Sequence, residues 1–121
     1  MQPARAYIGI GSNLGDPTFQ VGRAIQALAA LPFCHPIAHS PLYRTAPVGG
    51  PPGQPDYINA VAALDTGLTP QQLLMVLRTL ELGHGRTRSV RWGPRTLDLD
   101  LLLYDRLVST DPRLTLPHPR L

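Results

Sequence analysis

The segment T-L-D-L-D-L-L-L-Y, residues 96–104, narrows the possible folds more than any other part of this chain. Leucine and aspartate alternate along it, and the side chains of a β-strand point alternately to the two faces of a sheet. The apolar face carries Leu97, Leu99, Leu101 and Leu103. The other face carries Asp98 and Asp100, here called the aspartate pair. Such a strand is typical of an antiparallel sheet that is covered on one face only.

Three more segments have the composition of strands. Residues 7–11 and 56–64 are expected to form regular strands. Residues 35–45 are expected to form a bent edge strand, because Pro36 and Pro41 cannot donate to a ladder of hydrogen bonds.

Two segments have the spacing of amphipathic helices. The first begins at Asp16-Pro17, an N-cap followed by a proline, and stops before Pro32. The second begins at the capping box 69–72 and runs to about Leu82. The order βαββαβ predicts an α+β, ferredoxin-like fold, with a four-stranded antiparallel sheet and both helices on one face. No element is predicted for the polar, proline-bearing residues 105–121, and residues 1–121 are expected to form one domain.

The open face of this sheet is expected to gather Tyr57 and Asn59 with the aspartate pair around Gly9 and Gly11. The two aspartates lie about 6.6 Å apart along the strand, at about 3.3 Å per residue. Carboxylates this close repel each other unless a cation lies beside them, and Mg²⁺ prefers such ligands together with substrate phosphates. The pair indicates a magnesium site, although an ordinary solvated strand face is the alternative.

Residues 83–96, which immediately precede the aspartate pair in the chain, are expected to form a loop. This segment contains four arginines and Trp92. Arginine binds phosphate oxygens through two parallel hydrogen bonds. A loop of this length with glycines is typical of an active-site lid, and a basic surface loop is the alternative. Arginines for a polyphosphate and carboxylates for Mg²⁺ are the groups that phosphoryl transfer needs.

The composition excludes several kinds of active site. All eleven basic residues are arginines, so neither a lysine Schiff base nor a Walker A phosphate loop is possible. Cys34 is the only cysteine, which excludes an internal disulfide and a cysteine-rich zinc site. The net charge of +3 favours anionic partners. Because no apolar run could cross a bilayer and no signal peptide opens the chain, a cytoplasmic location without membrane contact is expected.

Six segments in collinear order carry a resemblance to a known family. They are G-S-N-L-G (11–15), Y-R-T-A-P-V-G (43–49), Q-P-D-Y-I-N (54–59), G-R-x-R (85–88), R-W-G-P-R-T-L-D-L-D (91–100) and L-T-L-P-H-P (114–119). They resemble the hydroxymethyl-dihydropterin pyrophosphokinase family of folate biosynthesis. The resemblance implies transfer of pyrophosphate from MgATP to the hydroxymethyl group of 6-hydroxymethyl-dihydropterin, with release of AMP.

The resemblance also implies roles for single residues. The aspartate pair would hold two Mg²⁺ ions, and together with Arg86 and Arg95, which would grip the polyphosphate, it would be catalytic. The implied pterin-binding residues are Thr45, Pro47, Val48, Tyr57, Asn59, Trp92 and Asp98. The implied ATP-binding residues are Glu81, Arg86, Arg88, Arg95, Leu101, Arg113, Leu114, Thr115 and His118. From the residues alone, Glu81 is expected to be a solvated charge, with a position facing the loop arginines as the alternative. His118 is expected to be a surface histidine, with a phosphate contact as the alternative.

Two alternatives to an active enzyme stay open at this point. The sequence ends at Leu121, whereas the resembling family usually continues with an arginine and with a phenylalanine that forms the second wall of the pterin site. Weaker pterin binding is therefore expected, and a weak or inactive MgATP-binding form is one alternative. A basic nucleic-acid-binding module on the same fold is the other, although the aspartate pair would repel phosphates without a metal. A monomer without nucleic-acid partners is expected.

Overall fold

A computed structural model of the protein describes residues 3–47, 49–50, 52–83 and 96–119. Within them the elements are β1 (Ala4–Ser12), α1 (Pro17–Ala29), β2 (Cys34–His39), β3 (Tyr43–Thr45), β4 (Tyr57–Thr66), α2 (Pro70–Gly83), β5 (Asp98–Tyr104), β6 (Ser109–Asp111) and β7 (Leu114–Leu116). Strands β2, β4, β1 and β5 lie side by side in that order, and β3 also pairs with β4. All of these pairings are antiparallel, which confirms the predicted α+β, ferredoxin-like fold.

The described sheet has five strands instead of the predicted four, because the segment 35–45 is divided into β2 and β3. The division falls at Ser40 and Pro41. Ser40 still bonds to β4, since its amide donates to the Val61 carbonyl at 2.8 Å and its hydroxyl accepts from the Val61 amide at 2.9 Å. Pro41 has no amide hydrogen, so the regular ladder stops there and resumes at Tyr43.

Both helices begin as their capping sequences predict. The Asp16 side chain accepts a hydrogen bond from the Phe19 amide at 3.2 Å, with Pro17 in the first turn of α1. At α2, Thr69 and Gln72 exchange hydrogen bonds between side chain and backbone at 2.9 and 3.1 Å, which is the reciprocal capping box.

The hydrophobic core lies between the two helices and one face of the sheet. Leu28 of α1 and Leu77 of α2 are fully buried against strand residues such as Ile8 and Leu99, and all belong to one cluster. Within the described residues, no helix combines the length and apolar character needed to cross a membrane.

A β-bulge at Leu102 reverses the alternation near the end of β5. Before the bulge Leu101 is buried in the core, whereas after it Leu103 lies opposite the half-exposed Tyr7. The extra residue exchanges the faces, and Tyr104 packs against the core in place of Leu103. The prediction that Leu103 faces the helices is therefore wrong.

The C-terminal segment contains a hairpin that the sequence analysis missed. Strands β6 and β7 pair through three residues each, and Leu114 and Leu116 of β7 are buried in the core. Strand β7 packs against β5 and α2, so the hairpin lies beside the strand that carries the aspartate pair without joining its sheet.

Candidate active site

The open face of the sheet brings the predicted polar residues together across the neighbouring strands β4, β1 and β5. Gly11 of β1 pairs with Asn59 of β4 on one side and with Asp98 of β5 on the other. Gly9 pairs with Asp100 in the next row of this face. Cross-strand partners share a face, so both aspartates stand on the open face, with glycines between them and β4. The predicted gathering is confirmed.

A side chain at position 11 would crowd the neighbouring side chains that lie over Gly11. A Cβ atom at Gly11 would lie 3.1 Å from Asn59 Oδ1 and 3.6 Å from Tyr57 Cδ1. At Gly9 a Cβ atom would lie 3.3 Å from Leu102 Cδ2. The space above the two glycines is therefore used by side chains from β4 and β5, which cross the central strand.

Asn59 is held by a side chain of β3. Its Nδ2 donates to the Thr45 hydroxyl oxygen at 2.6 Å, while its Oδ1 lies toward Gly11. Pro47, half-buried, follows Thr45 by two residues. Thr45, Tyr57 and Asn59 thus form one cluster, which would present an aromatic ring beside an oriented amide.

Asn13 is a residue of this region to which the sequence analysis gave no role. It is buried at the end of β1, and its Nδ2 donates to the Pro55 carbonyl at 3.1 Å and to Gln54 Oε1 at 3.3 Å. Gln54 Nε2 in turn donates to the Gly49 carbonyl at 3.2 Å. These bonds tie the segment between β3 and β4 to β1. Two of the quoted motifs, G-S-N-L-G and Q-P-D-Y-I-N, contain the two side chains that make them.

His118 comes to the aspartate pair from the segment after β7. Its Nε2 lies 3.6 Å from Asp100 Oδ1, and its amide donates to the Leu102 carbonyl at 2.9 Å. Both side chains are largely but not completely buried. The expectation of an ordinary surface histidine is wrong, because His118 lies directly beside the open face.

Glu81 is also not the solvated charge that its residue type indicates. It is 1% exposed, near the end of α2. Its Oε1 pairs with the Arg78 guanidinium, and its Oε2 accepts a hydrogen bond from the Leu99 amide at 2.7 Å. A buried carboxylate is tolerated when it is paired and hydrogen-bonded in this way.

The remaining described residues of the implied ATP set lie around the hairpin. Leu101 and Leu114 are 3% and 8% exposed and belong to the core, so a ligand could meet only their backbone atoms. The Thr115 hydroxyl donates to the Asp111 carbonyl at 3.1 Å. Arg113 is exposed and forms a two-point ion pair with Asp111, at 2.9 and 3.1 Å.

The comparisons with known proteins decide the family. The sequence profile of the 7,8-dihydro-6-hydroxymethylpterin-pyrophosphokinase (HPPK) family matches residues 7–121. The chain belongs to the HPPK family. It is 49% identical over 114 residues to a protein of Pseudomonas aeruginosa, and the match covers 94% of this chain and 70% of that relative. It is 50% identical over 114 residues to a protein of Pseudomonas putida, and the match covers 94% of this chain and 93% of that relative. It is 40% identical over 116 residues to a protein of Bacillus subtilis, and the match covers 96% of this chain and 69% of that relative. Each relative is named 2-amino-4-hydroxy-6-hydroxymethyldihydropteridine pyrophosphokinase.

Some expectations for the HPPK site fall outside the described residues. These are the predicted lid and the single residues Val48, Arg86, Arg88, Trp92 and Arg95. Their roles stay predictions.

The aspartate pair is suited to a hard cation that keeps other ligands. In the described part of the chain, no group of three or more histidine, cysteine, aspartate or glutamate side chains could enclose a metal ion. Mg²⁺ does not need such a cage, because it usually takes one or two carboxylates and fills its other positions with water and substrate phosphates. Two half-buried carboxylates on one open face fit this requirement.

The ion pair on the hairpin makes a measurable electrostatic prediction. Hydrogen bonds from the Arg113 side chain and amide lower the pKa of Asp111 from 3.8 to about 2, and the pairing raises the pKa of Arg113. Because the carboxyl pKa is lower in the folded state, the pair stabilises the fold above pH 3.8, and this contribution is lost as the pH falls toward about 2. We expect an NMR titration to give a pKa of about 2 for Asp111. In Arg113→Ala the pKa should rise toward 3.8 but stay below it, because the guanidinium is lost while the backbone amide at position 113 still donates to Asp111.

Arg106→Ala is the matched control, since Arg106 is an exposed arginine in the turn before the hairpin. It should leave the pKa of Asp111 unchanged. An Asp111 pKa that stays at about 2 in Arg113→Ala would contradict the assignment of its cause to the Arg113 side chain.

Proposed function

We propose that this protein transfers pyrophosphate from ATP to the hydroxymethyl group of 6-hydroxymethyl-dihydropterin and releases AMP. The observation that carries the proposal is the row Asn59–Gly11–Asp98 across the open face. In this row Asn59, together with the Tyr57 ring, forms a platform that is suited to a flat polar ring. Asp98, at the other end of the row, offers a carboxylate that is suited to a cation. Membership of the HPPK family supports the same conclusion.

The cluster of Thr45, Tyr57 and Asn59 would bind the pterin. A pterin ring is flat and has hydrogen-bonding groups along its edge, so it can stack on the Tyr57 ring and be read by the Asn59 amide. The hydrogen bond to Thr45 at 2.6 Å orients that amide before the ligand arrives. A preoriented group loses less conformational entropy on binding.

Asp98 and Asp100 would hold Mg²⁺ beside this platform. When bound, Mg²⁺ neutralises charge on the polyphosphate of ATP. Asp98 lies in the same row as Asn59, so the hydroxymethyl group of a bound pterin would lie toward the aspartate pair. His118, next to Asp100, would add a donor for a phosphate oxygen.

The chemistry needs positioning more than a reactive side chain. The pterin hydroxyl oxygen forms a bond to the β-phosphorus of ATP, and its O–H bond breaks as the proton passes to water. The bond from that phosphorus to the oxygen it shares with the α-phosphate breaks, and AMP leaves with that oxygen. No covalent bond to the protein is required, and the rate would come from alignment and from stabilisation of charge. Arg86 and Arg95 are proposed to supply that charge, in keeping with the sequence prediction.

A nucleic-acid-binding module on this fold is not favoured. Single-stranded RNA would lay its phosphates and bases on the open face of such a sheet. Here that face carries two carboxylates, which repel phosphates unless a cation is bound. Family membership points the same way.

Removing either carboxylate should abolish most of the transfer without harming the fold. In Asp98→Asn and Asp100→Asn, we expect AMP release to fall about 100-fold or more, since metal ions contribute several kcal/mol to such transition states. Because each variant removes a charge from a repelling pair, the melting temperature should stay the same or rise slightly. AMP release, measured with purified protein, ATP, Mg²⁺ and the pterin, tests this.

Asp65→Asn is the matched control. Asp65 is an aspartate on the same face, at the far end of β4, where it pairs with Arg5. It should cost some stability and leave AMP release near the wild-type rate. Near-normal turnover in Asp98→Asn or Asp100→Asn at ordinary Mg²⁺ would contradict the proposed function.

Gly11→Ala should weaken pterin binding selectively. The new methyl group would lie 3.1 Å from Asn59 Oδ1, so the amide must move and its bond to Thr45 is weakened. A hydrogen bond is worth about 1 kcal/mol, and we expect the pterin KM to rise about fivefold with the ATP KM little changed. Gly22→Ala in α1, where an added Cβ atom would meet nothing within 4 Å apart from its own stretch of helix, should change neither KM. An equal rise of both KM values in Gly11→Ala would show that Gly11 does not act through Asn59.

A further inference from the structure

Glu81 is a buried acid that is tied to the backbone of β5. Its Oε2 accepts from the Leu99 amide at 2.7 Å, and Leu99 is the residue between Asp98 and Asp100. We propose that Glu81 is a positioning residue, which fixes the β5 backbone at Leu99 and thereby sets the geometry of the aspartate pair. This inference rests on the proposed function, in which the pair holds Mg²⁺.

The position of β5 in the sheet explains why such an anchor is needed. In the described sheet β5 is an edge strand, with β1 on its inner side only. Amides on the outer side of an edge strand have no neighbouring strand to bond to, and the strand is less firmly held there. Glu81 supplies the acceptor for Leu99 at this edge.

A second bond holds the same edge three residues later. The His118 amide donates to the Leu102 carbonyl at 2.9 Å. Asp100 therefore lies between two anchored backbone groups, at Leu99 and Leu102. The side chain of Leu99 is fully buried as well, so its backbone is held from the core and from the edge.

The charge of Glu81 is balanced inside the protein. Its Oε1 pairs with Arg78 in the preceding turn of α2, and the Arg78 side chain is 35% exposed. An unpaired carboxylate at this position would place another negative charge behind the aspartate pair. The Arg78 pairing therefore lets a strong acceptor serve the Leu99 amide without adding net charge near an anionic substrate.

The burial of Glu81 separates this role from a direct contact with ATP. At 1% exposure its carboxylate presents almost no surface to a ligand. Its effect on the reaction would pass through Leu99 to the neighbouring aspartates. Groups that orient the ligands of a metal act in this indirect way.

Two substitutions of Glu81 distinguish a residue that positions β5 through the Leu99 amide from one that only contributes to the stability of the fold. Glu81→Met keeps the volume but offers no carboxylate, whereas Glu81→Gln keeps a carbonyl oxygen that can accept from the Leu99 amide. We expect Glu81→Met to raise the half-saturating Mg²⁺ concentration about 10- to 100-fold, the usual cost of losing such a group, and to lower kcat as well. Glu81→Gln should change both much less. Amide hydrogen exchange at Leu99, measured by NMR, should be much faster in Glu81→Met and only slightly faster in Glu81→Gln.

Leu77→Ala is the control for lost stability. Leu77 is buried in the same helix one turn earlier, and its truncation weakens the core without removing an acceptor from β5. It should lower the melting temperature and leave the half-saturating Mg²⁺ concentration unchanged. If Leu77→Ala shifts that concentration as much as Glu81→Met, or if Glu81→Met leaves it at the wild-type value, the proposal is wrong.

Two further outcomes also test the proposed role of Glu81: a Glu81→Met variant that does not fold, and a wild-type protein that releases no AMP. If Glu81→Met does not fold, Glu81→Gln replaces it, because a weaker acceptor should raise Leu99 exchange and the half-saturating Mg²⁺ concentration together. A rise of one without the other overturns the proposal. If the wild-type protein releases no AMP, the proposed function fails, whereas unchanged Leu99 exchange in the Glu81 variants shows that the anchor itself is absent.

Discussion

Burial of the leucine face of β5 under the helices determines where the polar groups of the site point. Leu99 and Leu101 of β5, and Leu97 immediately before it, are each 3% exposed or less. Burying one such side chain contributes about 1.5–3 kcal/mol. A one-residue slip of β5 would expose these leucines and bury both aspartates, and an unpaired buried carboxylate is costly. Apolar packing therefore keeps two mutually repelling carboxylates side by side on the open face.

Local patterns in the sequence predicted the elements that depend on local physics. The Asp16 cap and the reciprocal bonds of Thr69 and Gln72 lie where the sequence places them, since capping involves residues three apart. The bulge at Leu102 was not predictable, because it arises from pairing with β1. Strands β6 and β7 have three residues each, too few for alternation to stand out from a loop.

The candidate site divides in the same way. Alternation alone placed Tyr57, Asn59 and the aspartate pair on one face, and the strand register confirms it. The burial of Glu81 and the hydrogen bonds of Asn13 to the segment before β4 were missed, because their partners, Leu99 and Gln54, are 18 and 41 residues away in the chain. Residue type favours solvent for a glutamate and a turn for an asparagine, and only tertiary contacts reverse both expectations.

The site has two halves, on β4 and on β5, which lie on either side of the glycines of β1. Different parts of the fold hold each half in place. Asn59 and Tyr57 lie on β4. The Thr45 hydroxyl of β3 accepts a hydrogen bond from Asn59, and Asn13 donates a hydrogen bond to Pro55, just before β4. The aspartate pair lies on the edge strand and is steadied by α2 and the segment after the hairpin. Gly11 lets side chains from β4 cross toward β5, so that the two halves can serve one pair of substrates.

The central claim is that the open face binds ATP through a cation held by Asp98 and Asp100. Isothermal titration of a non-hydrolysable ATP analogue, in Mg²⁺ and in EDTA, tests it most directly. We expect tight binding by the wild-type protein only in Mg²⁺, and equally weak binding in both conditions by the Asp98→Asn/Asp100→Asn double variant. Equal affinity of the wild-type protein with and without Mg²⁺ would contradict the claim.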